Sequence, residues 1–182
     1  GLPNDRVRTV TIEPDGSVWV TFQEGGGAAR YDGERWTRYS TEDGLISDLV
    51  AEVSMAPDGS VWFATEEGAT HWDQETDTWT DYTEADGLYS NEVWRVLFTP
   101  DGRTWFVHRH ALTSWLPAQA EDEADEWQVH EEFRFLAASE ALVSEDGRLW
   151  LGQMFWDPEE EAWRDTVYRE LEVLDLAVDG RG

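Results

Sequence analysis

Two histidines and an arginine stand together in the segment VHRHAL, within a chain otherwise dominated by acidic residues. Alternation along a strand would send the side chains of His108 and His110 to the same face, a spacing compatible with a pair of metal ligands. The other histidines, His71 and His130, occupy different positions and supply no third ligand. The alternative is a basic tip that pairs through Arg109 with local carboxylates. We therefore treat this tip as a candidate ligand-binding element and predict no metal.

Trp94 is a second candidate ligand residue. Related segments of the chain, described below, carry Arg8 and Ala51 at the same position, so an aromatic side chain there breaks the pattern. The position lies at the start of a strand that we expect near the centre of the fold. A tryptophan at that point either fills space between sheets or faces a ligand.

Asp48 and Asn91 share one position just ahead of an inner strand, together with Asp5. Short polar side chains at such places commonly bond the neighbouring backbone, which is the simpler interpretation. The loops that carry them should nevertheless lie on the same face as the VHRHAL tip. We therefore include Asp48 and Asn91 among the candidate binding residues.

The composition excludes several classes of partner. The 182 residues include 40 acidic and 13 basic ones, all arginine, for a net charge of −27. Nucleic acid and anionic membranes are poor partners for such a surface, and no apolar run is long enough to insert into a membrane. Cysteine is absent, which removes thiolate catalysis and sulfur-ligated metals. Because the acids are spread along the chain, we interpret them as a solubility feature rather than a cation-binding groove.

An internal repeat organises the whole chain. Asp-Gly pairs begin at Asp15, Asp58, Asp101, Asp146 and Asp179, and the first two lie within an identical hexapeptide, PDGSVW. A tryptophan follows four of these pairs at a fixed offset, at Trp19, Trp62, Trp105 and Trp150. Residues repeated at a fixed period are typical of packing, so we assign these tryptophans to the scaffold.

Each repeat is predicted to form four short antiparallel strands. In the second repeat the strands are expected at 49–56, 60–65, 69–73 and 77–83, since these segments are rich in aromatic and β-branched residues and are separated by turn residues. Repeats of 40–45 residues with four strands are typical of β-propeller blades. The predicted fold class is therefore all-β.

Counting repeats predicts an open arc of a propeller. Blades are expected at 1–43, 44–86, 87–131 and 132–170, and residues 171–182 begin a further one with the strand LEVLDLAV at 171–178. A closed four-bladed ring would have no place for that strand. We expect the ring to be completed by residues absent from this chain or by another copy of it.

The repeat also resembles a known family. Segments such as SVWFATEEGATHWD and TEADGLYSNEV are similar to the two-component regulator propeller repeat, which typically occurs in extracytoplasmic sensor regions of bacterial histidine kinases and in secreted propellers. The resemblance implies a propeller and an extracytoplasmic (periplasmic or secreted) location. Because the motif specifies blade structure, it transfers little about function.

Three functions remain open from the sequence. The first is a non-catalytic binding propeller that recognises a small molecule, a glycan or a protein, without a cofactor. The second is a scaffold whose partner is another protein. The third is a lyase or hydrolase; no catalytic motif is evident, but a site assembled from several blades would leave none.

Overall fold

The computed structural model describes residues 2, 4–13, 16–118, 120, 123–131 and 141–165. These residues contain sixteen β-strands and no helix, which confirms the all-β prediction. Accordingly, no helix in the described ranges is long and apolar enough to cross a membrane. The expected strand at 171–178 and the Asp-Gly turn at Asp179 lie outside the described residues.

The strands form four antiparallel four-stranded sheets, each built from consecutive strands. Blade 1 contains β1 (Val7–Ile12), β2 (Val18–Phe22), β3 (Ala28–Tyr31) and β4 (Trp36–Tyr39). Blade 2 contains β5 (Val50–Met55), β6 (Val61–Thr65), β7 (Ala69–Asp73) and β8 (Thr78–Tyr82). Blade 3 contains β9 (Arg95–Phe98), β10 (Thr104–Val107), β11 (Leu112–Leu116) and β12 (Glu126–His130). Blade 4 contains β13 (Leu142–Val143), β14 (Leu149–Leu151), β15 (Met154–Asp157) and β16 (Ala162–Asp165).

The strands of the second repeat lie within a residue of their predicted ends. The turn between β5 and β6 explains this agreement, because its geometry is local. Asp58 accepts hydrogen bonds from the backbone N–H of Ser60 at 2.9 Å and from its hydroxyl at 2.7 Å. Gly59 takes the left-handed conformation with φ +87° that closes the hairpin. The limits of the blades themselves remain predictions.

The sheets stack face to face, with their first strands adjacent. β1 contacts β5, β5 contacts β9, and β9 contacts β13, so the first strands surround a common centre. Three of the four repeated tryptophans fill the space between blades: Trp19 lies in the apolar cluster shared with blade 2, Trp62 in the one shared with blade 3, and Trp105 in the one shared with blade 4. Their scaffold assignment agrees with this packing.

The connections between blades repeat the same contacts. In the segment EDGL, Asp43 accepts hydrogen bonds from the backbone N–H and hydroxyl of Ser40 at 2.8 and 2.9 Å. Leu45 then enters the apolar cluster between blades 1 and 2. Gly44 lies so close to Trp79 that a Cβ atom on it would be 2.7 Å from the ring. The connection therefore locks the first strand of a blade against its last strand.

Candidate functional site

Hairpin tips and blade connections lie at the same end of the sheets. The backbone N–H of Gly27, in the β2–β3 tip, donates to Asp48 O at 2.9 Å, and the N–H of Val93, in the next connection, donates to Thr65 O at 2.9 Å. We call this end, which carries the β2–β3, β6–β7 and β10–β11 tips and the β4–β5 and β8–β9 connections, the upper face. The described Asp-Gly turns, at Asp58, Asp101 and Asp146, lie at the opposite end, which we call the lower face.

A cavity of about 200 Å³ lies between the first strands of blades 1, 2 and 3. We call it the central pocket. Its lining consists of Arg8, Thr9, Ala51, Glu52, Trp94, Arg95 and Val107. Residues from three blades meet there, which is the arrangement expected when a propeller binds a ligand near its axis.

Arg95 joins three blades at the wall of this pocket. Its Nε lies 2.6 Å from Glu52 Oε2 and its Nη2 lies 3.2 Å from Oε1, so the pair is bidentate. Its Nη1 donates to the carbonyl oxygen of Ala141, just before β13, at 3.0 Å. Because a bidentate arginine holds a carboxylate in one orientation, the pocket wall is preorganised.

The structure places Trp94 in the central pocket, at the repeat position where the sequence analysis singled it out. Its backbone N–H donates to Val107 O at 2.8 Å, and its indole Nε1–H donates to Glu92 Oε1 at 2.9 Å. The side chain is half-buried, so part of the ring remains accessible. The indole is therefore held in one orientation beside the pocket.

Arg8 gives the pocket a cationic group that has no acidic partner among the described residues. The described arginines form ion pairs with carboxylates except for Arg8 and Arg109, and both of these are exposed. An exposed arginine beside a fixed tryptophan offers hydrogen-bond donors and a flat surface to a polar ligand.

The structure buries His108 away from the surface. The side chain is 1% exposed, although the sequence analysis proposed it as a ligand residue. Its Nδ1 lies 3.1 Å from the carbonyl oxygen of Glu92, which only accepts, so Nδ1 carries the hydrogen. Its Nε2 therefore accepts from the hydroxyl of Thr113 at 3.1 Å, which in turn accepts from the Tyr89 N–H.

Burial lowers the pKa of His108 from its ordinary 6.5 to about 4, because desolvation penalises the charged imidazolium. The ring is thus neutral at pH 7. Both ring nitrogens are hydrogen-bonded within the protein, so the side chain stabilises the tip, and a ligand role for it stays a prediction.

His108 and His110 do not form the pair that strand alternation predicted. Strand β10 ends at Val107, and the tip turns there, with the His108 N–H donating to Ala111 O at 3.0 Å. His110 and Arg109 are exposed on the upper face. Within the described ranges, no cluster of three or more His, Asp or Glu side chains is placed to hold a metal ion.

Asp48 and Asn91 make equivalent local contacts in successive connections. Asp48 Oδ1 accepts from the N–H of Thr41 at 2.7 Å, and Asn91 Oδ1 accepts from the N–H of Glu84 at 2.8 Å. These hydrogen bonds agree with the simpler interpretation from the sequence, in which the two side chains bond the nearby backbone and order the connection. A ligand role for either residue remains a prediction.

Glu52 and Arg95 were not among the site residues predicted from the sequence. The two residues stand 43 positions apart, at the same place in successive repeats, and carry opposite charges. This reversal of charge could have predicted their ion pair, because equivalent residues of neighbouring blades lie side by side in a stack of sheets.

No protein-family model and no curated protein matches the sequence. Solved structures do match it. The extracellular domain of BT3049 from B. thetaiotaomicron, described as a hybrid two-component system, superposes with a TM-score of 0.71 at 18% identity over 90% of this chain. The extracellular domain of BT4673 from the same organism, described as a one-component system, gives 0.67 at 18% identity over 90%.

A virginiamycin B lyase from Staphylococcus aureus also superposes, with a TM-score of 0.61 at 16% identity over 88% of this chain. The fold is that of a β-propeller. This agreement confirms the predicted propeller and, at the level of fold, the resemblance to two-component regulator propellers. The β-propeller chain spans 24% of the length of the two extracellular domains and 55% of the lyase.

Proposed function

We propose that this β-propeller is a non-catalytic, extracytoplasmic sensor module that binds a small polar molecule or glycan in the central pocket. The observation that carries the proposal is the position of Trp94, which breaks the repeat and lines a pocket shared by three blades. The fold it shares with extracellular domains of two-component systems supports the sensor role and the location. No cofactor is required by this arrangement.

The chemistry of the pocket favours a ligand with hydrogen-bond acceptors. Arg8 forms no ion pair within the described ranges and can donate, and the part of Trp94 that stays accessible offers a flat apolar surface. Glu52 is occupied by Arg95, so its carboxylate oxygens stabilise the wall instead of meeting the ligand. A polar molecule with a flat or ring-shaped face satisfies both contacts.

Substituting Trp94→Ala should weaken ligand binding while leaving the fold intact, because the side chain is half-buried and its main partner is the exposed Glu92. A panel of soluble oligosaccharides, amino acids and carboxylic acids is screened by isothermal titration against the wild-type protein. Each ligand found is retested with Trp94→Ala and Arg8→Ala, and affinity should fall by about tenfold or more.

The matched control is His110→Ala, an exposed residue of the β10–β11 tip that does not line the pocket. If ligands bind the Trp94→Ala and Arg8→Ala proteins as tightly as the wild type, the central pocket is not the binding site.

We further propose that another blade packs against the free face of blade 1. Val53 and Val96 are each 1% exposed in the clusters that blades 2 and 3 share with the blade before them. The equivalent Val10 is 59% exposed, and its neighbour Ile12 is 71% exposed. Such apolar exposure on a strand favours a protein partner, and the repeat indicates that the partner is a blade.

The Val10→Asp substitution tests whether that blade comes from a second copy of this chain. If copies complete the ring together, light scattering should give a dimer for the wild type and a monomer for the variant, because a carboxylate is costly in an apolar interface. A monomeric wild type would show that a second copy does not complete the ring. The blade that packs against blade 1 would then be formed by residues outside this chain.

A further inference from the structure

The tryptophan that follows each Asp-Gly turn normally has a fixed hydrogen-bond acceptor. In three of the four blades its indole Nε1–H donates to a side chain just ahead of the turn: Trp19 to Glu13, Trp105 to Thr99 at 3.0 Å, and Trp150 to Ser144 at 3.0 Å. Blade 2 carries Ala56 at that position, and alanine has no acceptor.

Trp62 nevertheless keeps ring contacts at distances similar to those of Trp19. Its ring lies 5.3 Å from Tyr82 and 5.6 Å from Phe106, just as Trp19 lies 5.0 Å from Tyr39 and 5.5 Å from Phe63. Its indole Nε1–H has no glutamate, threonine or serine acceptor at residue 56, where the chain carries alanine. No described residue accepts a hydrogen bond from it, although the side chain is only 3% exposed.

A second difference between blades enlarges the same space. In blade 1, Arg30 lies opposite Trp19 and fills the space with an ion pair to Glu13 at 2.7 Å. In blade 2 the opposite residue is His71, whose ring stacks on Trp62 at 4.6 Å. Blade 2 therefore has neither an acceptor side chain at residue 56 nor an arginine opposite Trp62.

A cavity of about 290 Å³ occupies this place on the lower face, between blades 2 and 3. We call it the Trp62 cavity. Its lining includes Trp62, His71, Phe98, Trp115, Pro57 and Ala56. Three indole or phenyl rings and a proline make the walls apolar, and an unpaired N–H donor in such walls is the kind of polar group that fixes the orientation of a ligand.

We propose that the Trp62 cavity is a second binding site, which takes an uncharged aromatic group bearing a hydrogen-bond acceptor that receives the Trp62 Nε1–H. The site is independent of the central pocket, because the two lie at opposite ends of the strands. The aromatic walls stack on the ring, and the acceptor occupies the place of the Thr99 or Ser144 oxygen in the other blades.

Anions are excluded by the rim. Asp58 lines the Trp62 cavity, and Asp73 and Glu75 line an adjoining cavity that also reaches His71. Burial lowers the pKa of His71, so the ring is neutral at pH 7 and offers no compensating charge. A carboxylate ligand would therefore meet several negative charges, while the one arginine of the lining, Arg103, is already paired with Asp101 and Glu161.

Benzamide is a suitable probe, because it combines a phenyl ring with a carbonyl acceptor. Titrated into the full chain at millimolar concentration, it should shift the Trp62 indole resonance in ¹H–¹⁵N spectra in a saturable manner. Toluene, which lacks the acceptor, and benzoate, which carries a charge, should each bind at least about tenfold more weakly.

The decisive variant is Ala56→Thr, which places the residue of blade 3 in blade 2. The threonine hydroxyl should accept the Trp62 N–H and occupy the acceptor site, so benzamide affinity falls at least about tenfold while thermal stability is kept or raised. A second variant, His71→Arg, fills the cavity as Arg30 does in blade 1 and should also weaken binding.

Either of two results would overturn the proposal. One is the absence of a saturable shift at Trp62 in the wild type, and the other is a benzamide affinity that both variants leave unchanged. Equal binding of toluene would reject the acceptor role of the ligand.

Discussion

The Gly87→Ala substitution is expected to cost about 2–5 kcal/mol of unfolding free energy, the largest effect that we predict for a single methyl group. Gly87 has φ +132°, a conformation that other residues rarely adopt, and a Cβ atom there would lie 2.7 Å from Trp127 Cγ and 2.8 Å from Cδ2. The indole cannot retreat, because it stacks on Phe106 and Trp115. Urea denaturation followed by tryptophan fluorescence measures the loss.

Gly59→Ala is the matched control for this prediction. Gly59 also has a positive φ, at +87°, but a Cβ atom there would meet nothing within 4 Å. It should cost only the conformational strain of the turn, about 1 kcal/mol. Equal losses for the two variants would mean that contact with Trp127 does not matter, whereas Gly44→Ala, facing Trp79 at the same distance, should behave like Gly87→Ala.

His108 is expected to make the protein less stable as the pH falls from about 6.5 toward 4. The folded pKa of about 4 lies below the ordinary 6.5, so the unfolded chain binds a proton in this range while the folded chain does not. The contribution of neutral His108 to the free energy of unfolding is therefore fully present above pH 6.5, and it is lost as the pH falls through the folded-state pKa of about 4. The shift corresponds to about 3 kcal/mol over the whole range.

Urea denaturation at pH 7.5 and at pH 4.5 measures this effect. His108→Gln should be less stable than the wild type at pH 7.5, because it disturbs two buried hydrogen bonds, and should lose less on acidification. His110→Gln, on the exposed side of the same tip, should follow the wild type at both pH values. If His108→Gln keeps the full acid sensitivity, another group is responsible for it.

The structure of the VHRHAL tip differs from the one that the sequence suggested. The sequence suggested two histidines on one face of a strand, a spacing that depends on the strand continuing through His110. The strand ends at Val107, so the rule of alternation does not apply to the residues that follow.

Trp94 and Trp62 show how far the repeat can be used to find function. Trp94 departs from the repeat in residue type, and this departure alone identified a position that lines the central pocket. Trp62 follows the repeat, and the informative change is the loss of its acceptor at residue 56. Recognising that change requires knowing that the indole N–H of the other blades is bonded to the equivalent residue.

The sequence by itself determined the sixteen-strand pattern and the Asp-Gly turns, because these features depend on local conformation and on a period that recurs along the chain. Only the tertiary structure decided that Arg95 joins Glu52 to Ala141, that His108 is buried and neutral, and that a cavity lies beside Trp62. The physical reason is the same in each case. These features depend on side chains from different blades, or from opposite strands of one blade, and their distances are set by the stacking of sheets rather than by spacing in the sequence.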